Sequence, residues 1–235
     1  MSVKKDLSAS VVNSDSQKIH HAGKGLNIFY FGKGKGKTTA AMGLAARAAG
    51  AGMNVFVLQF VKAKRPKKGE RLQSGEWPIS SEISFFENVS ANASRDNLDK
   101  SISPKSSEAV KPQKIGKIKC QQVGAGFVGI LGDKKERSAH VQEAKHGLEV
   151  ARKAIDSGKY DLVVLDEFVS ALELNLISEK EILDIIKSKP KYLHLAYTGH
   201  DFCEKIVDAS DLVSEIKMVK HPFYQGILAR RGIDF

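Results

Sequence analysis

Phe31-Gly32-Lys33-Gly34-Lys35-Gly36-Lys37-Thr38-Thr39 decides how this chain is read. An apolar run of strand type, Asn27–Phe31, precedes it, and an Ala-rich stretch of helical character, Thr38–Ala49, follows it and closes near Gly50. Glycines let the backbone approach phosphate oxygens closely. The N–H groups of such a loop and of the helix behind it wrap a polyphosphate. In that pattern Gly32, Lys33, Gly34, Lys35, Gly36, Lys37, Thr38 and Thr39 form the nucleotide cradle. Lys37 neutralises phosphate charge and the Thr38 hydroxyl ligates Mg²⁺. The alternative, a solvated basic turn, leaves the strand-loop-helix context unexplained. The spacing departs from the usual G-x-x-x-x-G-K-[ST]: counting back from Gly36, the first glycine is due at residue 31, which is Phe31. Gly32 takes that role, and the loop is one residue short of what a kinase or GTPase uses.

Outward from the loop the chain alternates strands and helices, the pattern of parallel βαβ units. Asn54–Phe60 reads as a second strand, 61–78 as a basic loop and 83–86 as a short strand. From about Asn88 to Lys119 the composition falls to Ser, Asn, Lys and Pro, which reads as a low-complexity insertion. Val141, Ala144, Leu148, Ala151 and Ile155 recur at helical spacing, with Gly158 as the stop. Asp161–Leu165 is a doubly buried strand, and Ser178–Lys187 a helix with Ser178 and Glu181 as its capping box. Tyr192–Tyr197 reads as a strand, Asp201–Ala209 as a helix and Leu212–Val219 as a last strand. The expected fold is α/β: three layers around a mostly parallel sheet, a RecA-like P-loop nucleotide-binding fold. The domain division is a flexible N-terminal arm, 1–25, and one domain over 26–235 that carries the insertion at about 88–119. The apolar strand ending in Asp166 and Glu167 places two carboxylates where open α/β sheets bind ligands. A carboxylate there holds Mg²⁺ directly or through water.

Composition narrows the function. At 235 residues with 42% hydrophobic and 27% charged residues, the chain is ordinary globular material. Two cysteines, Cys120 and Cys203, make no disulfide framework and fit a reduced, cytoplasmic setting. No apolar run approaches the ~20 residues of a membrane span, and the first 25 residues lack a secretory apolar region. The net charge of +10 is concentrated in residues 62–71, with a net of +5, and 99–119, with a net of +4. Neither stretch interleaves aromatics, so solvated loops account for the charge better than a nucleic-acid surface does.

Four stretches resemble the P-loop family of corrinoid adenosyltransferases, the ATP:cob(I)alamin adenosyltransferases. They are Gly32–Ala41, with Lys33 where asparagine is common; Val57–Lys62 followed by Gly69-Glu70-Arg71; Tyr160–Glu167; and Asp211–Glu215 with Lys220–Phe223, Gly226 and Arg231–Phe235. The resemblance covers 22–86 and 120–235. It implies transfer of the 5′-deoxyadenosyl group of ATP to the reduced cobalt of a corrinoid, cob(I)alamin or cob(I)yrinic acid a,c-diamide, with triphosphate leaving. It further implies Lys37, Thr38 and Glu167 as the catalytic set and a metal set of Thr38, Glu167 and Asp166, Asp166 acting from behind the other two. An external reductant such as a flavoprotein and a homodimer, its N-terminal arm over the partner's corrinoid, also follow from it. The family's aromatic Gly-Phe-Thr-Trp segment corresponds to Gly126-Phe127-Val128-Gly129, which makes Phe127 and Gly129 the corrinoid-facing positions, with glycine replacing tryptophan. Its Thr-Gly-Arg is Thr198-Gly199-His200 here, and His221, in the C-terminal signature, reads as a shaper of that loop. Two other functions compete with this one: a P-loop ATPase or phosphotransferase, with or without nucleic acid, and a non-catalytic corrinoid-binding paralogue.

Overall fold

A computed structural model describes residues 23–61, 81–92, 115–124, 126, 128, 135–230 and 232–233. Its elements run β1 (Asn27–Phe31), α1 (Lys37–Gly50), β2 (Val55–Gln59), α2 (Ser81–Asn92), β3 (Ile118–Gln122), α3 (Arg137–Asp156), β4 (Leu162–Asp166), α4 (Ser170–Glu173), α5 (Glu179–Ser188), β5 (His194–Thr198), α6 (Glu204–Asp208) and β6 (Leu212–Glu215), with a 3₁₀ turn at Pro222–Gln225. The six strands form one sheet in the order β3-β2-β4-β5-β1-β6. Every neighbouring pair is parallel, so the described sheet is wholly rather than mostly parallel.

The three layers follow from the strands' alternation. Val55, Val57, Leu162, Val164 and Ala196 point to one face, where α1 packs Ala41, Met42, Ala45, Ala48 and Ala49 against them. Alanine is the strongest helix former, and its small side chain lets α1 lie close to the sheet. The intervening residues Phe56, Leu58, Val163, Leu165, Leu195 and Tyr197 point to the other face. There they meet Ala144, Leu148, Ala151 and Ile155 of α3 and Ile182, Ile185 and Ile186 of α5. Central strands buried on both faces need continuous apolar runs, and β2 and β4 are buried throughout.

Two expectations change. Residues 83–86 are not a strand: they lie within α2, which buries Ile83 and Phe86, three apart, and leaves Phe85 exposed. A four-residue stretch with three apolar residues, Ile83, Phe85 and Phe86, fits either period, and in the structure Ile83 and Phe86 share a helix face. The segment read as an insertion, 88–119, has an ordered element at each end, α2 through Asn92 and β3 from Ile118. The rest of it, 93–114, lies outside the described residues, as do 62–78 of the basic loop 61–78 and most of the N-terminal arm. The arm's final residues are tied to the body: Gly25 N–H donates to the Lys191 carbonyl at 2.7 Å, and Lys24 pairs with Asp211 at 3.0 Å.

The capping box at α5 is present: the Glu181 amide donates to Ser178 Oγ, and the Ser178 amide to the Glu181 carboxylate. Burial pushes the Glu181 carboxyl up, but hydrogen bonds from Lys145 and Ser178 outweigh it and hold the group at about 2. This contribution is complete above the ordinary carboxyl range and is lost as pH falls towards 2. Ser178→Ala is expected to cost about 1 kcal/mol, which lowers Tm by roughly 2–4 °C for a chain of this size; thermal unfolding at pH 7 checks it. Both cysteines are free, and burial pushes the Cys120 thiol up to about 12. No helix among the described residues is long and apolar enough to cross a membrane.

Candidate functional site

β1 ends at Phe31, and the chain turns through Gly32 and Gly36, with φ of 119° and 116°, a region open to glycine but strained for other residues. The loop lies against the ribbon that follows β6. A Cβ on Gly32 would stand 2.4 Å from the Ile216 carbonyl oxygen, and one on Gly34 would stand 2.5 Å from it. The contact is also hydrogen-bonded. Gly34 N–H donates to the Ile216 carbonyl at 2.9 Å, Ile216 N–H to the Phe31 carbonyl at 2.7 Å and Gly32 N–H to the His200 carbonyl at 3.0 Å. The Gly32 and Gly34 amides therefore hold the loop's shape, and a ligand's oxygens would be met by the remaining amides at the head of α1. Gly36 caps that helix without a side-chain acceptor, so the helix presents its first N–H groups and the positive end of its dipole to the loop's concavity.

Lys37 is the buried cation of the site. Its Nζ donates to the carbonyls of Gly32 at 2.7 Å and Gly34 at 2.9 Å, closing the loop over itself. An ammonium carries three N–H donors, which leaves one for an anion in the cradle. Burial pulls the Lys37 pKa below the usual lysine range, opposed by Glu167, Asp166 and Glu173.

At the carboxyl edge of the sheet, Gln122, Gln59 and Asp166 are register partners across β3, β2 and β4. Thr198 follows Tyr197, the partner of Leu165, and continues the row onto β5. Side chains at one register level share a face, and here that face is the one α1 covers. Asp166 is wholly buried and accepts from Thr38 Oγ1 at 3.0 Å, Thr198 Oγ1 at 2.9 Å and Gln59 Nε2 at 2.9 Å. Gln122 Nε2 in turn donates to Gln59 Oε1 at 3.1 Å. Thr38 thus spends its proton on Asp166 and turns its oxygen lone pairs towards the cradle.

Glu167 stands apart from this network. Its φ of 58° is left-handed, and its amide donates to Thr198 Oγ1 at 2.8 Å. A non-glycine residue in that conformation is strained, and here the same threonine that holds Asp166 pins it. The result is one carboxylate fixed inside the wall and a second, half-buried, at the strand end. No group of three or more His, Cys, Asp or Glu side chains able to hold a metal lies among the described residues. Mg²⁺ carried on phosphates needs one or two protein oxygens and keeps its waters, and the Thr38 hydroxyl with the Glu167 carboxylate fits that requirement.

Beyond β5, Glu173 of α4 accepts the amides of His200 and Asp201, each at 2.8 Å, and its other oxygen lies 3.6 Å from His200 Nδ1. Burial pushes the Glu173 carboxyl up, but these contacts outweigh it and hold it below its ordinary value, while the Glu173 contact raises the His200 imidazole. The stabilisation from a raised imidazole is full below the ordinary histidine pKa and is lost as pH climbs through the raised one. His200 and Asp201 share with Gly32, Lys33, Phe202 and Ile216–Met218 the wall of an open cleft of about 560 Å³ beside the phosphate loop.

Of the positions singled out from sequence, Gly32–Thr39 all lie on the loop and the first turn of α1, and the fold brings Thr38 against Asp166. Phe127 and Gly129 lie outside the described residues. His221 Nδ1 accepts the Phe223 amide at 3.1 Å and caps the 3₁₀ turn. Sequence reasoning did not single out Gln59, Gln122 or Glu173 as site residues, nor Thr198 as the hinge between the two carboxylates. A polar residue closing an apolar strand, as Gln59 and Thr198 do, was the available signal.

Residues 23–235 match the model of the family described as ATP:corrinoid adenosyltransferase BtuR/CobO/CobP. A corrinoid adenosyltransferase of Sinorhizobium sp is 29% identical over 215 residues, covering 90% of this chain and 81% of that one. Corrinoid adenosyltransferase CobA of Salmonella typhimurium is 29% identical over 213 residues, covering 90% and 86%. The corrinoid adenosyltransferase of Escherichia coli K12 is 27% identical over 233 residues, covering 99% and 94%.

Proposed function

From the premise that the chain belongs to the ATP:corrinoid adenosyltransferase family BtuR/CobO/CobP, and is an enzyme that adenosylates corrinoids with ATP, we propose that its phosphate loop works on the intact triphosphate as a leaving group. Cob(I) attacks C5′ of the ribose with its electron pair, the Co–C bond forms and the C5′–O bond breaks. The electron pair of that bond leaves on triphosphate. A phosphotransferase must aim the terminal phosphorus; this enzyme must aim C5′ and hold the whole polyphosphate. The observation that carries the reading is the short loop itself, sealed by Lys37 on the Gly32 and Gly34 carbonyls.

In this reading the amides at the head of α1 and the free N–H of Lys37 face the negative charge that grows on the triphosphate. Such preorganised donors act without reorganisation at the moment of reaction. Thr38 and Glu167 hold Mg²⁺, which supplies further countercharge, and Asp166 fixes the Thr38 hydroxyl. No general base is required, because the nucleophile arrives as an electron pair on cobalt, and the rest of catalysis is positioning. Phe127 and Gly129 are the proposed corrinoid-facing positions, a flavoprotein-type donor the proposed source of electrons, a homodimer the assembly and the cytoplasm the location.

The test is anaerobic incubation with chemically reduced cob(I)alamin, ATP and Mg²⁺, following the visible spectrum and assaying the phosphate product. Adenosylcobalamin and triphosphate in equal amounts support the mechanism. ADP and phosphate with cobalamin unchanged would overturn it in favour of an ATPase. The loop's shape is separately testable. Gly34→Ala drives a methyl into the Ile216 carbonyl. Overpacking strain costs about 1–3 kcal/mol, so ATP affinity is expected to fall roughly tenfold with the far-UV circular dichroism unchanged.

A further inference from the structure

The described residues hold a polar row that the mechanism above uses only at one end. Asp166 and Thr38 belong to the phosphate site; Gln59 and Gln122 have been given no part. Gln59 is wholly buried at the end of a central strand, an environment that favours an apolar side chain. A buried amide is kept only where both its ends are satisfied. Here the NH₂ end meets Asp166 and the oxygen end meets Gln122. A carboxylate oxygen can only accept, so Gln59 must present its NH₂ to Asp166. Nothing in Gln59 itself enforces that choice, because the amide turned end for end has the same shape.

We propose that Gln59 and Gln122 are positioning residues for the nucleotide site: Asp166, which only accepts, draws the NH₂ of Gln59, Gln122 secures that arrangement by donating to the Gln59 oxygen, and Gln59 thereby holds the carboxylate that orients Thr38. The proposal rests on the Mg²⁺–ATP reading above. Three observations support it. Gln122, Gln59 and Asp166 stand at one register level across β3, β2 and β4. The Val123 amide donates to the Gln59 carbonyl at 2.9 Å, which keeps the end of β3 from drifting out of register. Thr198 holds Oδ1 of Asp166 at 2.9 Å and Thr38 reaches Oδ1 and Oδ2 at 3.0 and 3.2 Å, while Gln59 holds Oδ2 at 2.9 Å, so losing Gln59 loosens the Oδ2 side of the carboxylate that Thr38 also uses. Gln122 is only half-buried and lies on the edge strand, where substitution is tolerated.

The polarity of the row makes it testable apart from packing. In the full chain, Gln122→Lys keeps a donor facing Gln59, whereas Gln122→Glu supplies a second acceptor that competes with Asp166 for the Gln59 NH₂ and leaves the Gln59 oxygen without its donor. ATP binding is measured by calorimetry, without corrinoid, in Mg²⁺ and again in EDTA. Loss of an outer hydrogen-bond partner of a metal site typically costs about 10–100-fold in metal affinity. Gln59 and Gln122 act through Asp166, the group bonded to the ligand, so Gln59→Leu and Gln122→Glu are expected to lose Mg²⁺-dependent ATP affinity at the lower end of that scale, about tenfold, while affinity in EDTA changes little. Gln122→Lys stays near wild type in the ratio of the two. The ratio cancels the general effect of added charge, which acts with and without the metal. Equal ratios for Gln122→Lys and Gln122→Glu, or equal losses in Mg²⁺ and EDTA, would overturn the positioning role. A wild-type chain that binds ATP no better in Mg²⁺ than in EDTA overturns the metal reading and this proposal with it. Mg²⁺-dependent binding by wild type with unchanged variants overturns the proposal alone.

Discussion

Lys37→Ala is expected to lower kcat/KM for adenosyl transfer by about 10²–10³-fold, the effect of removing one preorganised donor from a developing anion. The loss has two sources. One is the charge itself, which sits in a buried pocket where screening by solvent is weak. The other is the loop: without the ammonium, the Gly32 and Gly34 carbonyls lose the group that draws them together. The two separate in Lys37→Arg, which keeps the charge but replaces a compact ammonium with a planar fork that does not match two carbonyls on one turn. A loss of similar size in Lys37→Arg assigns the effect to loop shape; partial activity assigns it to charge. Release of triphosphate, measured under anaerobic conditions, reads both. Activity of Lys37→Ala within threefold of wild type would refute the placement of this lysine on the polyphosphate.

Asp166→Ala is expected to be the most destabilising single change at the site. It strips a shared acceptor from Thr38, Thr198 and Gln59 and leaves buried donors unsatisfied. Each orphan costs about 1–3 kcal/mol unless water reaches it. At the sheet edge some hydration is available, so a total of about 3 kcal/mol is expected, or roughly 6–12 °C in Tm. Glu167→Ala, one residue on, is expected to leave Tm near wild type and to lose Mg²⁺ dependence instead, because its carboxylate stands outside the network. Thermal unfolding and ATP titration of the two variants distinguish wall from ligand. Equal drops in Tm for both would show the division to be wrong.

What the sequence disclosed and what it withheld follow from the range of each interaction. β1, α1 and the loop between them were legible because glycine spacing, helix composition and the preceding apolar run are local signals. The β4 strand was legible because burial on both faces erases alternation and leaves four apolar residues, Leu162–Leu165, before Asp166. The capping box at Ser178 and Glu181 is a contact three residues apart. α2 was misread because Ile83, Phe85 and Phe86 are too short a run to fix a period. β3 was hidden for a different reason. As the terminal strand of the sheet it needs little apolar surface, and Ile118-Lys119-Cys120-Gln121-Gln122 borders residues of low complexity. The carboxylates were visible as a motif, but not that Thr38 meets Asp166 rather than Glu167. Nor was the Gln122–Gln59–Asp166–Thr198 row, because it is written across four strands whose order no periodicity contains.

β1 lies between β5 and β6 and is the first of the described strands, whereas its two neighbours are the last of them. The loop it delivers is moulded by His200 and Ile216, residues separated from it by nearly the whole polypeptide. During synthesis the glycine-lysine segment therefore leaves the ribosome long before anything exists to shape it. A nascent chain that ends between Thr39 and Ile216 carries the glycine-lysine loop without the full set of contacts that mould it. The contacts that mould the loop are thus among the last that synthesis makes available, although the loop itself is among the first segments made.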